Sequence, residues 1–296
     1  MRAIIGTVVI GVVAFGYLFV VSAPLPYPVG EVLKVERGQT IASIERELMD
    51  LRAIRTPYVF SVCARFFGPS RAGWYALHAP EDACMLAYRL ARGDTRLAAL
   101  RITIPEGYTA REISELVGGP IDSNLEGYLF PDTYVIIPGT PVGEIVSHLR
   151  ARYEEAVAPL RPEILASGRT EQEILTMASI LEKEARLPET RRIVAGILWK
   201  RLDMGMPLQV DAVFGYIRGI DTYSPSFADL EIDSPYNTYK NAGLPPGPIN
   251  NPGIDTIRAA LEPEPSPYLY YLTGADGTMH YARTFTEHVA NRKYLR

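Results

Sequence analysis

The chain has 296 residues with 47% hydrophobic and 22% charged side chains, a composition typical of folded globular proteins of one or two domains. Its formal net charge of −4 argues against a nucleic-acid partner, because phosphate binding requires a clustered basic surface. We therefore expect a neutral or amphoteric substrate.

The first predicted element is a membrane-spanning helix over residues 1–22. Residues 3–21 carry no charge, and a helix of this length spans roughly 28 Å, about one hydrocarbon thickness. Arg2 precedes the apolar run and Lys34 is the first basic residue after it. The positive-inside rule then predicts a single-pass protein of the cytoplasmic (inner) membrane, with the rest of the chain on the extracytoplasmic side. A signal peptide cleaved at Val21-Ser22-Ala23 is the alternative, but the apolar run is longer than a usual h-region.

A proline-containing spacer over residues 23–31 leads to a module over residues 32–118, in which a strand–turn–helix unit occurs twice. The strands are predicted at 32–35 and 100–104, and in each unit a glycine lies two residues before a threonine. Thr40 and Thr109 can then cap the helices that follow. Strands alternating with capped helices predict a small α+β module.

The role of this module stays open at the level of sequence. Its shape is similar to the LysM sugar-binding fold, so a spacer role and direct glycan binding are both compatible with it. Cys63 and Cys84, the only cysteines of the chain, fall within it. Two buried thiols or a disulfide would suit them, and an extracytoplasmic compartment would permit the disulfide. Without further ligands they do not make a zinc site.

The second domain is predicted over residues 119–296, and its sharpest feature is a helix over 171–185. Thr170 and Glu173 form a capping box that fixes where the helix begins. At 100° per residue, Glu184 falls on the apolar arc near the C-terminal end, whereas Lys183 points to solvent. Partial burial and the negative helix end should both raise the pKa of Glu184. A carboxyl group of this kind suits protonation of a glycosidic oxygen.

Glu182 lies on the same helix, about 200° around the axis from Glu184. The two carboxylates therefore cannot face each other across one sugar bond, as two-carboxylate glycosidases require. A one-acid mechanism is predicted if the site cleaves glycans. The alternative is that both glutamates are solvated charges paired with arginines such as Arg186 or Arg192.

Several later segments combine a rigid backbone with aromatic and polar side chains. They are residues 125–134, 208–211, 234–239 and 243–253. Proline and glycine fix the backbone there, while tyrosine and amide groups suit sugar faces and N-acetyl groups. An ordered connector without a ligand is the alternative.

Taken together, these motifs resemble the endolytic murein transglycosylase family (YceG-like, MltG) over nearly the whole chain. The matching segments are Leu-Glu-Gly-Tyr-Leu-Phe-Pro-Asp-Thr-Tyr, Ala-Ser-Ile-Leu-Glu-Lys-Glu, Leu-Gln-Val-Asp, Ser-Pro-Tyr-Asn-Thr-Tyr and Gly-Leu-Pro-Pro-Gly-Pro-Ile-Asn-Asn-Pro-Gly. In that family the second glutamate of Glu-x-Glu is the catalytic acid, so the resemblance implies this role for Glu184.

The resemblance also implies which residues line the cleft around the acid: Gln209, Asp211, Tyr236, Asn237 and Thr238. Glu126 is a further candidate polar group, with a structural ion pair as its alternative role. Near the C terminus the chain matches the family's His…Thr…Glu-His stretch and departs from it after the second histidine. The matching residues are His280, Thr284, Glu287 and His288. A zinc site at the two histidines lacks a third ligand.

We therefore expect an α+β fold with an N-terminal transmembrane helix, a small LysM-like module and a C-terminal mixed α+β catalytic domain. The implied activity is a lytic transglycosylase that cuts nascent peptidoglycan strands between N-acetylmuramic acid and N-acetylglucosamine, forms 1,6-anhydro-muramic ends and terminates elongation. No metal or organic cofactor is expected. The implied partners are peptidoglycan glycan strands, the cytoplasmic membrane and peptidoglycan synthases. The alternatives are a hydrolytic muramidase that uses Glu126 or Asp211 as second carboxylate, and a non-enzymatic wall-binding scaffold.

Overall fold

The computed structural model describes residues 16–185, 187–220 and 225–295. The chain divides into two compact units. The first contains the residues up to Ile102 together with Val135–Pro141, and the second contains Thr103–Tyr134 and the chain from Val142 onward. The predicted boundary was at residue 118, so the observed division places the residues after Ile102 in the second unit.

The first unit is built on an antiparallel pair of strands, β1 (Val32–Val35) and β2 (Gly73–Ala76). Three helices complete it: α1 (Ile41–Asp50), α2 (Pro57–Phe67) and α3 (Ala83–Arg92). The predicted cap of α1 is confirmed, because the Thr40 side chain accepts a hydrogen bond from Ser43 N at 3.2 Å. The core of the unit is apolar and contains Leu33, Ile44, Leu48, Phe60, Leu77, Leu86 and Leu90. The LysM-like assignment of this region stays a prediction.

A disulfide joins Cys63 in α2 to Cys84 in α3, with 5.2 Å between the two Cα atoms. Of the two sequence-based alternatives for the cysteines, the bonded one is therefore found. The link ties together two helices that also pack against each other. Restricting the unfolded chain in this way typically stabilises a fold by about 2–4 kcal/mol.

The prediction of a transmembrane helix over residues 1–22 is contradicted. No helix in the described parts of the chain is long and apolar enough to cross a membrane. The described end of the predicted segment forms a five-residue π-helix, Tyr17–Val21, and the backbone becomes extended at Ser22. Residues 1–15 of the predicted helix lie outside the described residues.

The second unit is mainly helical. Its helices are α4 (Ala110–Val117), α5 (Val142–Val157), α6 (Arg161–Ala166), α7 (Glu171–Glu184), α8 (Pro188–Asp203), α9 (Ala212–Arg218), α10 (Ile254–Leu261) and α11 (Phe285–Asn291). Short 3-10 turns occur at Ser123–Leu125, Ala158–Leu160, Asp229–Glu231 and Arg292–Leu295. Helix α7 packs against α8 and α10. This arrangement buries α7 on several sides.

Two further strand pairs complete the fold. Strands β3 (Leu100–Thr103) and β4 (Thr133–Ile136) pair with each other, and the borders between the two units fall inside these strands. Strands β5 (Tyr270–Thr273) and β6 (Met279–Ala282) form an antiparallel hairpin in the second unit. The α+β character of the predicted fold agrees with these elements.

Candidate active site

Helix α7 fixes the position of Glu184. The predicted capping box is confirmed: the Thr170 hydroxyl accepts from Glu173 N at 3.2 Å, and the Glu173 carboxylate accepts from Thr170 N at 2.7 Å. Ile174, Leu175, Met177, Ala178, Ile180 and Leu181 are all buried. Glu184 is the last helical residue, and the chain turns away in an extended conformation at Ala185. The acid is therefore held at the end of a rigid, tightly packed helix.

A pocket of about 600 Å³ lies within the second unit, and Glu184 is part of its wall. Its other polar lining residues include Glu126, Lys183 and Asp211, and its apolar wall includes Tyr216 and Ile249. These residues come from four separate stretches of the second unit, around Glu126, the end of α7, the start of α9 and Ile249, which meet only in the fold. A cavity of this size is large enough for a sugar-sized ligand.

The carboxyl group of Glu184 is partly buried, and among the described residues it has two hydrogen-bond donors near it. The Tyr271 hydroxyl donates to Oε2 at 3.0 Å, and Ala212 N makes a long contact of 3.4 Å with Oε1. Neither oxygen has an ion-pair partner in the part of the chain that the structure describes. Burial raises the pKa of Glu184, the two donors lower it, and the negative charge of Asp211 raises it further. The net direction is upward, as expected for a general acid.

Two tyrosines support the acidic groups of the pocket. Tyr271, on β5, donates to Glu184, and Tyr239 donates to Asp211 Oδ1 at 2.6 Å. Burial raises the pKa of both phenols above their ordinary value, so both remain protonated donors. Sequence reasoning missed both. Nothing in the sequence around Tyr271 indicates a contact with a residue 87 positions earlier.

Glu182 has the opposite surroundings on the other side of α7. Its Oε1 pairs with Arg191 Nη2 at 3.1 Å, and its Oε2 accepts from Gly253 N at 3.0 Å and from the Thr256 hydroxyl at 2.7 Å. The carboxylate is buried and fully occupied. Glu182 therefore anchors α7 to its neighbours, and the expectation that it does not face Glu184 across a substrate is consistent with this placement.

Glu126 brings a second buried carboxyl group to the pocket. It accepts from Ala110 N at 2.9 Å and from Asn251 Nδ2 at 2.9 Å. Burial is the main cause that raises its pKa, to about 7. The alternative role of Glu126 was a structural ion pair, but its carboxyl group contacts no cation among the described residues. Glu126 is thus a carboxyl group held in place by neutral donors.

The remaining predicted cleft residues fall into two groups. Asp211 lines the pocket, whereas Gln209 is exposed and accepts from Arg201 Nη2 at 3.1 Å. Asn237 and Thr238 are buried: Asn237 Nδ2 donates to two backbone carbonyls at 2.9 Å, and the Thr238 hydroxyl accepts from Val210 N at 3.1 Å. These side chains fix the loops behind the pocket.

Tyr236 also acts from behind the pocket. Its ring lies 5.0 Å from the ring of Tyr216, which lines the pocket directly. This contact holds the Tyr216 ring in the wall. Direct substrate contacts of Gln209 and the 236–238 segment stay predictions.

The C-terminal histidines have aromatic neighbours. His280 stacks on Tyr294 with 3.8 Å between ring centroids, and His288 stacks on Tyr270 at 5.4 Å. The Thr284 hydroxyl caps α11 by accepting from Glu287 N at 3.2 Å. Within the described ranges no three histidine, cysteine, aspartate or glutamate side chains are grouped as a metal site would require. The matched C-terminal residues thus order the end of the chain.

Comparisons with known proteins agree on one family. The YceG-like family matches residues 33–294. The endolytic murein transglycosylase of Bacillus subtilis (strain 168) is 30% identical over 304 residues, covering 89% of this chain and 84% of that protein. The endolytic murein transglycosylase of Streptococcus pneumoniae serotype 2 (strain D39 / NCTC 7466) is 28% identical over 336 residues. That match covers 94% of this chain but only 61% of the pneumococcal protein.

A solved structure has the same fold. The crystal structure of a yceG-like protein from Listeria monocytogenes aligns with a TM-score of 0.61 and 29% sequence identity. The alignment covers 88% of this chain and 98% of that protein.

Proposed function

Because the chain belongs to the YceG-like family, we propose that it is an endolytic lytic transglycosylase of bacterial peptidoglycan. The family resemblance expected from the sequence motifs is thereby confirmed. In the proposed reaction, the enzyme cuts glycan strands between N-acetylmuramic acid and N-acetylglucosamine and leaves 1,6-anhydro-muramic ends. Its relatives from Bacillus subtilis and Streptococcus pneumoniae are named endolytic murein transglycosylases, which supports this reaction class.

The observation that carries the proposal is the state of Glu184. Its carboxyl group is in the wall of a sugar-sized pocket, its pKa is raised by burial, and no described cation neutralises it. A carboxyl group that keeps its proton near neutral pH can protonate a poorly basic glycosidic oxygen. In the second half of the reaction, the resulting carboxylate is a competent base.

Both proton transfers of the proposed reaction use the carboxyl group of Glu184. Glu184 donates its proton to the bridging oxygen as the bond from that oxygen to C1 of the muramic residue breaks, so the N-acetylglucosamine end leaves as an alcohol. Positive charge develops at C1, and the neighbouring acetamido oxygen of the same sugar stabilises it. The 6-hydroxyl oxygen then bonds to C1 while Glu184 takes its proton. No water is consumed, and the acid is regenerated.

Two features support a location of the protein outside the cytoplasm. The Cys63–Cys84 disulfide is of the kind that persists in oxidising compartments. The proposed substrate is also found there. The first unit would act as a LysM-like positioning module, and cutting of nascent strands would link the enzyme to peptidoglycan synthases.

The test is analysis of chain ends. Purified glycan strands are digested with the wild-type protein and with Glu184→Gln, and the products are examined by mass spectrometry. Anhydro ends that require Glu184 support the proposal. Products heavier by one water would instead identify a hydrolytic muramidase, for which Glu126 or Asp211 in the same pocket would supply the second carboxylate. No new chain ends with either protein would identify a binding scaffold, and equal cleavage by both would exclude Glu184 as the acid.

A further inference from the structure

The Glu126 end of the pocket holds a carboxyl group whose orientation is fixed by its neighbours. The side chain is only 6% exposed, yet it is part of the pocket lining. Its Oε1 accepts from both Ala110 N and Asn251 Nδ2, at 2.9 Å each, whereas Oε2 has only a second contact with Ala110 N at 3.1 Å. Oε2 therefore keeps hydrogen-bonding capacity that Oε1 does not.

Asn251 is itself locked, which rules out a loose side chain at this position. Its Oδ1 accepts from Leu129 N at 2.8 Å, and its Nδ2 donates to Tyr108 O at 2.9 Å as well as to Glu126. The backbones of Tyr108 and Asn251 are also bridged to each other. Both donors to Glu126 among the described residues are therefore fixed, Asn251 by its further contacts and Ala110 N by its position at the start of α4, so the carboxyl group is preorganised.

The charged groups that line the pocket around Glu126 do not neutralise its carboxylate. The groups that line this pocket from α4 are Arg111 and Glu112, those from α7 are Lys183 and Glu184, and Asp211 and Tyr216 face it from the α9 side. Burial, and then the charge of Glu112, raise the pKa of Glu126 to about 7 although its two neutral donors lower it. The neutral carboxyl group is thus well populated around neutral pH.

Apolar surface lies next to this group. Ile249 is buried and lines the pocket, and the Tyr216 ring forms a neighbouring wall. Glu126 and Tyr216 line the same pocket, and burial, followed by the charge of Glu126, raises the pKa of Tyr216. A hydrogen-bond donor beside a small apolar wall matches an acetamido group, which has one carbonyl oxygen and one methyl group.

We propose that this end of the pocket is a subsite for the acetamido group of an N-acetylated sugar, with neutral Glu126 donating from Oε2 to the acetamido carbonyl and with Ile249 and Tyr216 contacting the methyl. The subsite rests on the proposed function, because both sugars of the proposed substrate carry this group. A sugar with a free amine would present an ammonium group to a donor and to an apolar wall, and the site would reject it.

The test is binding rather than cleavage. The probe is the N-acetylglucosamine tetramer, titrated calorimetrically into the full chain carrying Glu184→Gln, which removes both cleavage and the titration of Glu184. If only neutral Glu126 binds, its population falls by about tenfold between pH 6 and pH 8, and the affinity should fall equally. The matching tetramer of glucosamine should bind at least about tenfold more weakly at pH 6.

Adding Glu126→Gln should make the affinity independent of pH and close to its value at pH 6, because the amide is a permanent donor of the same shape. Glu115→Gln, which removes an exposed carboxylate of helix α4 that does not line the pocket, is the matched control and should keep the tenfold change. Persistence of the pH dependence with Glu126→Gln, or equal affinity for the two tetramers, would overturn the subsite.

These outcomes are separate from those of the proposed function. Binding in the Glu184→Gln background does not depend on which bond is cut or whether water is added, and chain-end analysis does not depend on Glu126. The dependence of the binding affinity on pH and on acetylation is measured in the Glu184→Gln protein, in which Glu126 is unchanged. These two results therefore test the subsite even if the protein that also carries Glu126→Gln fails to fold.

Discussion

The two sides of α7 place a glutamate carboxyl group in opposite surroundings. On one side, Glu182 is paired with Arg191 and also accepts from Gly253 N and the Thr256 hydroxyl. On the other, Glu184 receives one good hydrogen bond, from Tyr271, and one long contact. The residues are two positions apart and chemically identical, so the surroundings alone make the difference.

The contrast separates structural from chemical use of the same side chain. A buried carboxylate with a cation and two neutral donors has every reason to stay ionised and in place. One with fewer donors and an adjacent negative charge, here Asp211, is pushed toward its neutral form. Such a group can give and take a proton, which is the property that the proposed reaction needs.

The largest expected effect is that of Glu184→Gln. The amide keeps the size of the side chain and can still accept from Tyr271, but it has no proton to give. We expect glycan-strand cleavage to fall by about 10²- to 10⁴-fold, the usual contribution of a general acid. The measurement is the rate of new chain ends per enzyme molecule.

Its stability is the internal control. The melting temperature of Glu184→Gln should match or exceed that of the wild-type protein, since a poorly compensated buried carboxyl group is replaced by a neutral one. Activity within threefold of wild type would remove Glu184 from the catalytic role.

Glu182→Gln should give the reverse result. It keeps the acceptor for Gly253 N and Thr256 but leaves Arg191 buried without its counter-charge. We expect the free energy of unfolding, measured by urea denaturation, to fall by about 3 kcal/mol. Cleavage per folded molecule should be retained. A stable but inactive Glu182→Gln protein would mean that the two glutamates have been assigned the wrong way round.

The sequence predicts what is local in this comparison. The capping box at Thr170 and Glu173 and the apolar arc of α7 follow from spacing alone, and both are found. The location of Glu184 on that arc is encoded within one helix, so it needs no knowledge of the rest of the fold. The family motifs add the choice between the two glutamates.

What depends on long-range contacts could not be predicted. Tyr271 reaches Glu184 from a hairpin 87 residues later in the chain, and Arg191 reaches Glu182 through the packing of α7 on α8. The family resemblance implied that Asn237 lines the cleft. In the structure its Nδ2 donates to the carbonyls of Leu230 and Ile232, which lie seven and five residues earlier in the chain. A residue type indicates capacity for hydrogen bonding and leaves the partner unspecified.

The two compact units divide the chain at a different point from the predicted boundary. The second strand–turn–helix unit resembles the first, which led to its assignment to one module ending at residue 118. In the structure its turn is bridged to the proline-rich loop through Tyr108 and Asn251, and α4 belongs to the second unit. The apolar run at the N terminus likewise gave a strong hydropathy pattern, whereas its described end is helical only over Tyr17–Val21.

Tyr271→Phe sharpens the comparison by removing the one good donor to Glu184. That donor lowers the pKa of Glu184, so its loss should raise the pKa still further. A general acid is active while protonated, and activity falls as the pH rises through its pKa. The alkaline fall in kcat/KM should therefore move to higher pH, with a loss of stability of about 1 kcal/mol for the missing hydrogen bond. A shift to lower pH would show that the hydroxyl accepts a hydrogen bond from protonated Glu184 instead of donating one.

Asp211→Asn should move the alkaline fall in kcat/KM in the opposite direction, and by a smaller amount than Tyr271→Phe does. Asp211 is an exposed neighbour whose negative charge raises the pKa of Glu184, and it is the smallest of the four causes acting on that group. Asparagine keeps an oxygen that can accept from the Tyr239 hydroxyl, so the local geometry is retained while the charge is lost. With that charge gone, the pKa of Glu184 falls and the alkaline fall in kcat/KM moves to lower pH.

Because solvent ions screen an exposed charge, the difference between Asp211→Asn and wild type should shrink in high salt, whereas the effect of Tyr271→Phe should not. The measurement is a pH–rate profile of each variant at low and high ionic strength. Loss of all activity at every pH in Asp211→Asn, with Glu184→Gln equally inactive, would instead give Asp211 a direct part in the reaction and favour the two-carboxylate, hydrolytic mechanism.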